Sequence, residues 1–281
     1  MTVHTPSELE LERRAYRAGR ARRSVLVAIA STIAFALIVW ATVINTPGWA
    51  SVQASFFDPE IALASFPRIW EGFLLNLTVL GLSVVTVGVS ALALALVRTL
   101  RGPVFFPVRV LAAAYTDIFR GLPFIIVLYL FGFGLPTLLG ERIHPIVLGT
   151  IAVTLTYSAY VSEVIRAGIE AVHPSQTLAA RALGLGYTRT MRTVVLPQAL
   201  RKMTPPLMND FVAMQKDVGL ISILGAVDAV LAAKIESSQT YNFTPYVVAG
   251  ILFILLAIPT VRLTDWYTAK LRAREQAGAI L

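Results

Sequence analysis

The apolar residues of this chain fall into long runs. Residues 24–44 and 73–97 carry no charged side chain. About 20 mostly apolar residues, rising 1.5 Å each, cross the hydrocarbon core of a bilayer. Each run therefore predicts a transmembrane helix. A third run, 110–134, contains Asp117 and Arg120 and is interrupted at Gly121-Leu122-Pro123. A fourth covers 145–164, and the last, 246–261, stops before Arg262. Residues 205–224 form a weaker candidate, because Asp210, Lys216 and Asp217 lie inside it.

Charge placement decides the weak case. If 205–224 crosses, nineteen Lys and Arg fall on one side. They sit in the N-tail (Arg13 to Arg23), after the second run (Arg98, Arg101, Arg109), in a long loop (Arg166, Arg181, Arg189, Arg192, Arg201, Lys202) and in the C-tail (Arg262 to Arg274). Only Arg68, Arg142 and Lys234 fall on the other side. Lys and Arg accumulate on the cytoplasmic side of membrane spans. Without the crossing, the C-tail cations would lie outside. The expectation is an all-α integral membrane protein of about six transmembrane helices with both termini in the cytoplasm. Its parts would be a basic N-tail (1–23), a first span (24–45), an outer segment (46–71), a main transmembrane region (72–264) and a C-tail (265–281). The outer segment is rich in turn formers and aromatics, among them Pro47, Trp49, Pro59 and Trp70. The first apolar run has 21 residues, whereas signal-peptide cores have about 7–15, so a retained anchor is expected.

Composition agrees. Of 281 residues 56% are hydrophobic and 14% charged, against about 25% charged in soluble domains. The net charge of +8 reads as a topogenic signal and not as a nucleic-acid footprint. There is no cysteine, and His4, His144 and His173 lack ligand spacing, so neither a disulfide framework nor a metal site is expected. No G-x4-G-K-[ST] phosphate loop, HExxH or GxSxG is present, which argues against an ATP site or an enzyme's active site on this chain.

The long loop is the informative segment. Pro174-Ser175 is a plausible helix start, with Ser175 as cap. Leu178, Arg181, Ala182 and Leu185 follow at helical spacing, and Gly184 and Gly186 end that helix. Thr188 can cap a second short helix, closed by Pro197. A basic helix–turn–helix of this length predicts a docking element; the bland alternative is a solvated linker.

Here the chain resembles a known family. Ala179, Ala180, Gly184, Val194, Leu196 and Pro197 are similar to the E-A-A-x3-G-x9-I-x-L-P signature of permease subunits in bacterial ATP-binding-cassette (ABC) importers. Leu178 stands where that signature has Glu, so the polar contact expected from Glu must be absent or supplied elsewhere. Segments 162–170 and 196–201, Phe119-Arg120-Gly121-Leu122-Pro123, and Lys216-Asp217-Val218-Gly219-Leu220 resemble the polar-amino-acid branch. The similarity runs from about 73 to 261, leaving the first span and N-tail as an addition to a five-helix unit. The resemblance implies a type I importer permease fold with a cytoplasmic coupling helix, in a bacterial inner membrane. It implies as partners a separate ATPase subunit, a second permease subunit, identical or homologous, an extracytoplasmic substrate-binding protein, a polar amino acid and membrane lipid. ATP and Mg would sit on the ATPase, with no cofactor on this chain. Coupling would run through Gln176, Ala179, Ala180, Gly184, Leu196 and Pro197.

Charges inside a membrane face the bundle interior or a water-filled cavity. Glu163, Asn209, Lys216 and Asp217 are therefore candidates for lining a translocation pathway, the alternative being that they hold helices together. Asn209 and Lys216 share a helix face, as do Asp210 and Asp217, each pair being seven apart. Asp117 and Arg120 suggest a local pair. The glycines of the third run suit either a gate or close helix packing. A second reading of the charges is an ion relay of Asp210, Lys216 and Asp217 in a gradient-driven transporter; that class often shows internal repeats, and none is evident.

Overall fold

The computed structural model describes residues 7–100 and 102–278 and is helical, with no strand among them. It divides into two units, 1–55 and 56–281.

The first unit is dominated by α1 (Glu8–Ile44). Ser7 caps it, its hydroxyl accepting from the Glu10 N–H at 3.4 Å. Glu8 and Glu10 in the first turn suit the positive end of the helix dipole. Residues 8–23, expected as a tail, are therefore helical and continuous with the apolar run. Its apolar side chains, Phe35 and Trp40 among them, are exposed, as they can be when lipid is the solvent. A short α2 (Trp49–Phe56) follows.

The second unit starts its first long helix, α3 (Pro59–Thr99), at Asp58. Asp58 Oδ1 accepts from the N–H groups of Glu60 and Ile61 at 2.9 and 3.2 Å. The outer segment expected over 46–71 is thus mostly helix. Of its prolines, Pro59 stands in the first turn of α3, where no N–H is needed, while Pro67 lies inside that helix. α4 (Phe106–Gly121) and α5 (Phe124–Leu139) meet at 110°. The break is at Leu122-Pro123, as the sequence predicts, because Pro lacks an N–H and pushes the residue before it out of the helical region. α6 (Pro145–Glu170) is straight-through and makes its most extensive packing with α3.

After the loop described below, α9 (Leu196–Asp217) continues as a 3₁₀ segment, Val218–Leu224. Gly225, at φ +81°, turns the chain into α10 (Ala229–Thr240), bent 55° from what precedes it. α11 (Thr244–Gly278) carries the last apolar run well past Arg262, so the expected C-tail is helical as far as Gly278. Among the described residues, four helices are long and apolar enough to cross a membrane, or six if each bent pair is one span. The second number matches the six expected.

The core lies where α3, α5, α6 and α9 meet: Val79, Leu80, Val127, Leu128, Val153, Tyr157, Met214 and Ile221. The α9–α10 break is held by a buried polar knot. Asn76 Nδ2 donates to the Val218 carbonyl at 2.9 Å and to Asp228 Oδ2 at 3.0 Å, and its Oδ1 accepts from the Ala229 N–H at 3.1 Å. Asp228 Oδ1 in turn caps α10 through the Leu231 N–H at 2.9 Å. Non-helical backbone at membrane depth survives only where protein satisfies its polar groups. Gly72 makes room for this knot: a Cβ there would lie 2.4 Å from the Asp228 carbonyl carbon.

Candidate functional site

Two places combine several of the candidate residues. The first is the loop between α6 and α9. α7 (Pro174–Ala182) is capped by His173, whose Nδ1 accepts from the Ser175 N–H at 3.2 Å. The cap is thus His173 and not Ser175, whose hydroxyl instead bonds the same ring nitrogen at 2.7 Å. At the other end Gly184 takes φ +80°. The Gly184 N–H donates to the Arg181 carbonyl at 2.9 Å and the Leu185 N–H to the Ala180 carbonyl at 3.1 Å. This is the Schellman pattern, which needs a left-handed residue that glycine adopts without strain.

α8 (Tyr187–Thr190) follows, with Gly186 and not Thr188 at its N-cap. A π-helical turn, Met191–Val195, leads into α9. Pro197 therefore stands in the first turn of a long helix and does not close a short one. Its ring would clash with the carbonyl four residues back in a regular α-helix, and the wide turn just before it gives that carbonyl room.

The loop has a small core of Val172, Val195, Ala199 and Met203, and Lys202 Nζ ties it to the Ala171 carbonyl at 2.6 Å. Of the residues expected to couple, Ala180 is buried in this framework, while Gln176, Ala179, Gly184, Leu196 and Pro197 are at the surface. Around them Leu178, Leu183, Tyr187 and Leu200 are exposed, Leu183 by 82%. Exposed apolar side chains amid Arg181, Arg189 and Arg192 form a patch of the kind that marks a binding surface.

At the root of the loop an ion-pair chain joins two helices. Arg98 Nη1 of α3 donates to Glu163 Oε2 at 2.6 Å. Arg166 pairs with the same carboxylate and with Glu170. Glu163, a candidate for the pathway, is thus occupied in fastening α3 to α6.

The second place is a cavity of about 330 Å³ between α6, α9 and the α4–α5 break. Thr156, Tyr157, Tyr160, Asp210 and Asp217 line it, with Leu122, Pro123, Phe124 and Ala213. The Tyr157 hydroxyl donates to Asp217 Oδ2 at 2.8 Å, and the Tyr160 hydroxyl to the Arg120 carbonyl at 3.1 Å. The Arg120 guanidinium lies 5.9 Å from the centre of the Tyr160 ring. Among the described residues Arg120 makes no ion pair with Asp117, so the local pair expected there does not form.

Of the four pathway candidates, Asp217 lines this cavity; Asn209 and Lys216 are exposed on another face of α9. Asn209 lies in a groove shared with Thr264 and Asp265 of α11. The seven-residue spacing of Asp210 and Asp217 does bring both to one wall. Thr156, Tyr157 and Tyr160 escape sequence reasoning, although polar side chains within the otherwise apolar run 145–164 are a signal that could have found them.

Residues 103–273 match the family described as binding-protein-dependent transport system inner membrane component. The chain belongs to this family of ABC importer permeases. It is 32% identical to the arginine transport system permease protein ArtQ of Bacillus subtilis, over 72% of this chain and 91% of that protein. It is 36% identical to the putative glutamine transport system permease protein GlnP of Rickettsia bellii, over 72% and 89%. Its structure superposes on a crystal structure of an amino acid ABC transporter with histidines at a TM-score of 0.67 and 31% identity, covering 73% of this chain and 94% of that one. The fold expected from the loop signature is therefore the fold observed: an all-helical permease of the type I importer class.

Proposed function

We propose that this chain is the membrane subunit of an ATP-driven importer for a polar amino acid, and that it couples to a separate ATPase through α7, the Gly184 turn and the start of α9. The observation that carries the reading is the apolar-tipped loop, with its left-handed Gly184 and its Leu196-Pro197 at the spacing of the importer signature. The names of the relatives, arginine and glutamine permeases among them, support a polar amino acid as cargo. The chain lies in a bacterial inner membrane with both termini in the cytoplasm, as the cation distribution argues. A second permease subunit completes the pathway, an external binding protein delivers the substrate, and the ATPase holds ATP and Mg, so this chain binds no cofactor. ATP-driven closure of the ATPase pair moves the loop, and the loop moves α6 and α9. The cavity between those two helices, with Asp217 on its wall, is part of the pathway.

The test is affinity purification of the tagged chain from its native membranes, with co-purifying chains identified by mass spectrometry. A soluble ATPase in stoichiometric amount, lost in Gly184→Leu, is the expected result. A chain that purifies alone and moves amino acids on an ion gradient without ATP would refute the proposal.

A further inference from the structure

We infer that the basic end of α1 is a binding surface for anionic lipid headgroups, with Arg13, Arg17, Arg20 and Arg23 as the stripe that holds their phosphates. This rests on the cytoplasmic N-terminus proposed above and on nothing else of the importer reading.

α1 runs without a break from Glu8 to Ile44. Its apolar stretch, 24–44, fixes the depth of what precedes it. Counting back from Ser24 at a helical rise of about 1.5 Å per residue, Arg23, Arg22 and Arg20 lie within about 6 Å of the hydrocarbon edge. That is headgroup depth, a layer about 5–8 Å thick on each side of a bilayer. Arg17 follows at about 10 Å, which leaves it within a Debye length of that layer, about 8 Å in physiological salt. Glu8, Glu10 and Glu12 stand at the far end of the helix. Cations beside the bilayer and carboxylates away from it is the order that an anionic leaflet favours.

The arginines lack partners within the chain. Arg13, Tyr16, Arg17 and Arg20, with Glu12 at one end, frame an open hollow of about 390 Å³. Arg13, Arg17, Arg20, Arg22 and Arg23 are exposed and make no ion pair among the described residues. Residues three and four apart are neighbours on a helix surface. By that spacing Arg17 neighbours Arg13, Arg14, Arg20 and Ala21, and Arg20 neighbours Tyr16, Arg17, Arg23 and Ser24. Neither has an acidic neighbour. Arg13 with Arg17, Arg17 with Arg20 and Arg20 with Arg23 instead set like charges side by side, which disfavours the helix. Gly19, inside the same stretch, disfavours it further. Anions along the stripe remove that repulsion.

A topogenic signal needs only cations on one side of a span. It gains nothing from a helical stripe without acidic neighbours. Lipid phosphate does gain, because a guanidinium meets it with a fork of parallel hydrogen bonds. An acidic protein surface is the rival occupant, but Arg20, Arg22 and Arg23 lie at headgroup depth, where lipid is the neighbour.

The experiment places the complex purified through this chain in nanodiscs of equal parts phosphatidylcholine and phosphatidylglycerol. A trace of one lipid or the other carries a photoreactive group near the headgroup, and labelled peptides are mapped by mass spectrometry. Phosphatidylglycerol should label the part of α1 before Ser24 at least about fivefold more than phosphatidylcholine, the factor that one cation at an anionic surface supplies. Raising the salt to about 1 M, where the Debye length is about 3 Å, should remove most of the excess. Changing Arg13, Arg17, Arg20 and Arg23 together to Gln should equalise the two lipids, and changing the same four to Lys should keep the excess. Protease access to an N-terminal tag in inverted membrane vesicles reports orientation, and the melting temperature reports folding. If the fourfold Gln variant inserts wrongly, Arg17→Gln combined with Arg20→Gln decides, and it should halve the excess or more. Equal labelling in the wild type, or an excess unmoved in a correctly inserted Gln variant, would overturn the inference and leave the arginines as a topogenic signal. A correctly inserted, normally melting Gln variant that loses the ATPase would overturn it in favour of a protein partner. If the wild-type tag proves external, the lipid surface falls with the topology, while an ATPase still retained by the complex keeps the importer function.

Discussion

The loop between α6 and α9 and the cavity between the same helices invert one another. The loop places apolar side chains, Leu178, Leu183 and Tyr187, outermost among arginines. The cavity places carboxylates and hydroxyls, Asp210, Asp217, Thr156 and Tyr157, inside an apolar bundle. In both, side-chain polarity disagrees with the surroundings, and in both the disagreement is what suggests a partner. The two glycines of the comparison also differ. Gly184 is needed for its φ of +80° and has open space around it, whereas Gly72 is needed because the backbone at Asp228 approaches within 2.4 Å of where its Cβ would stand. A loop glycine shapes a surface; a bundle glycine admits a neighbour.

If this contrast is right, changes in the bundle cost folding and changes in the loop cost docking. The largest effect on stability should come from Asn76→Ala. It strips three hydrogen bonds from the α9–α10 break, and with a buried unsatisfied group costing about 1–3 kcal/mol, a loss of about 3 kcal/mol or more is expected in thermal unfolding of the detergent-solubilised protein. An unfolding midpoint equal to wild type would show that the knot is incidental.

Gly184→Leu comes next. A non-glycine residue in the left-handed region costs about 1–2 kcal/mol, so melting should fall only modestly, yet ATPase recovery and uptake should be lost. Full uptake at wild-type expression would remove the coupling role from the turn.

Glu163→Gln weakens the α3–α6 ion pair. Both side chains of the Arg98–Glu163 pair are 18% exposed, so the loss should lie near the upper end of ion-pair values, about 1 kcal/mol. A double-mutant cycle with Arg98→Met isolates the pair, and strict additivity would mean that the two do not interact. The smallest change in stability is expected for Leu183→Asp. That side chain is 82% exposed, so melting should stay within about 0.5 kcal/mol of wild type, while the ATPase dissociates faster in a wash series. Stable binding by this variant would separate the apolar tip from docking.

Much of the architecture was legible from local chemistry. The uncharged runs 24–44 and 73–97 became helices because hydropathy and length alone decide a span. The α4–α5 break sits at Leu122-Pro123 because proline acts on its immediate neighbours. The turn at Gly184 was readable for the same reason. The errors are also local. The sequence points to Ser175, Thr188 and Pro197 as helix ends that His173, Gly186 and the π turn at 191–195 occupy instead, since several residues within one turn can serve as a cap. The turn formers and aromatics of 46–71 mark an outer segment in the sequence; Trp49 stands in α2 and Pro59, Pro67 and Trp70 in α3, while Pro47 lies in the turn between α1 and α2.

The sequence by itself determined how many times the chain can cross, which ends gather the cations, and where the helix turns sharply. Each of these depends on neighbours along the chain. Only the tertiary structure decided which intramembrane charges meet. Asp210 and Asp217 turn toward Tyr157 while Asn209 and Lys216, one residue before each, turn away; Glu163 is claimed by Arg98 from a helix 65 residues earlier. The physical reason is that a helix in a bilayer is apolar toward lipid and toward its neighbours alike. Hydropathy cannot tell those two faces apart, and the choice falls to the packing of α6 against α3 and α9.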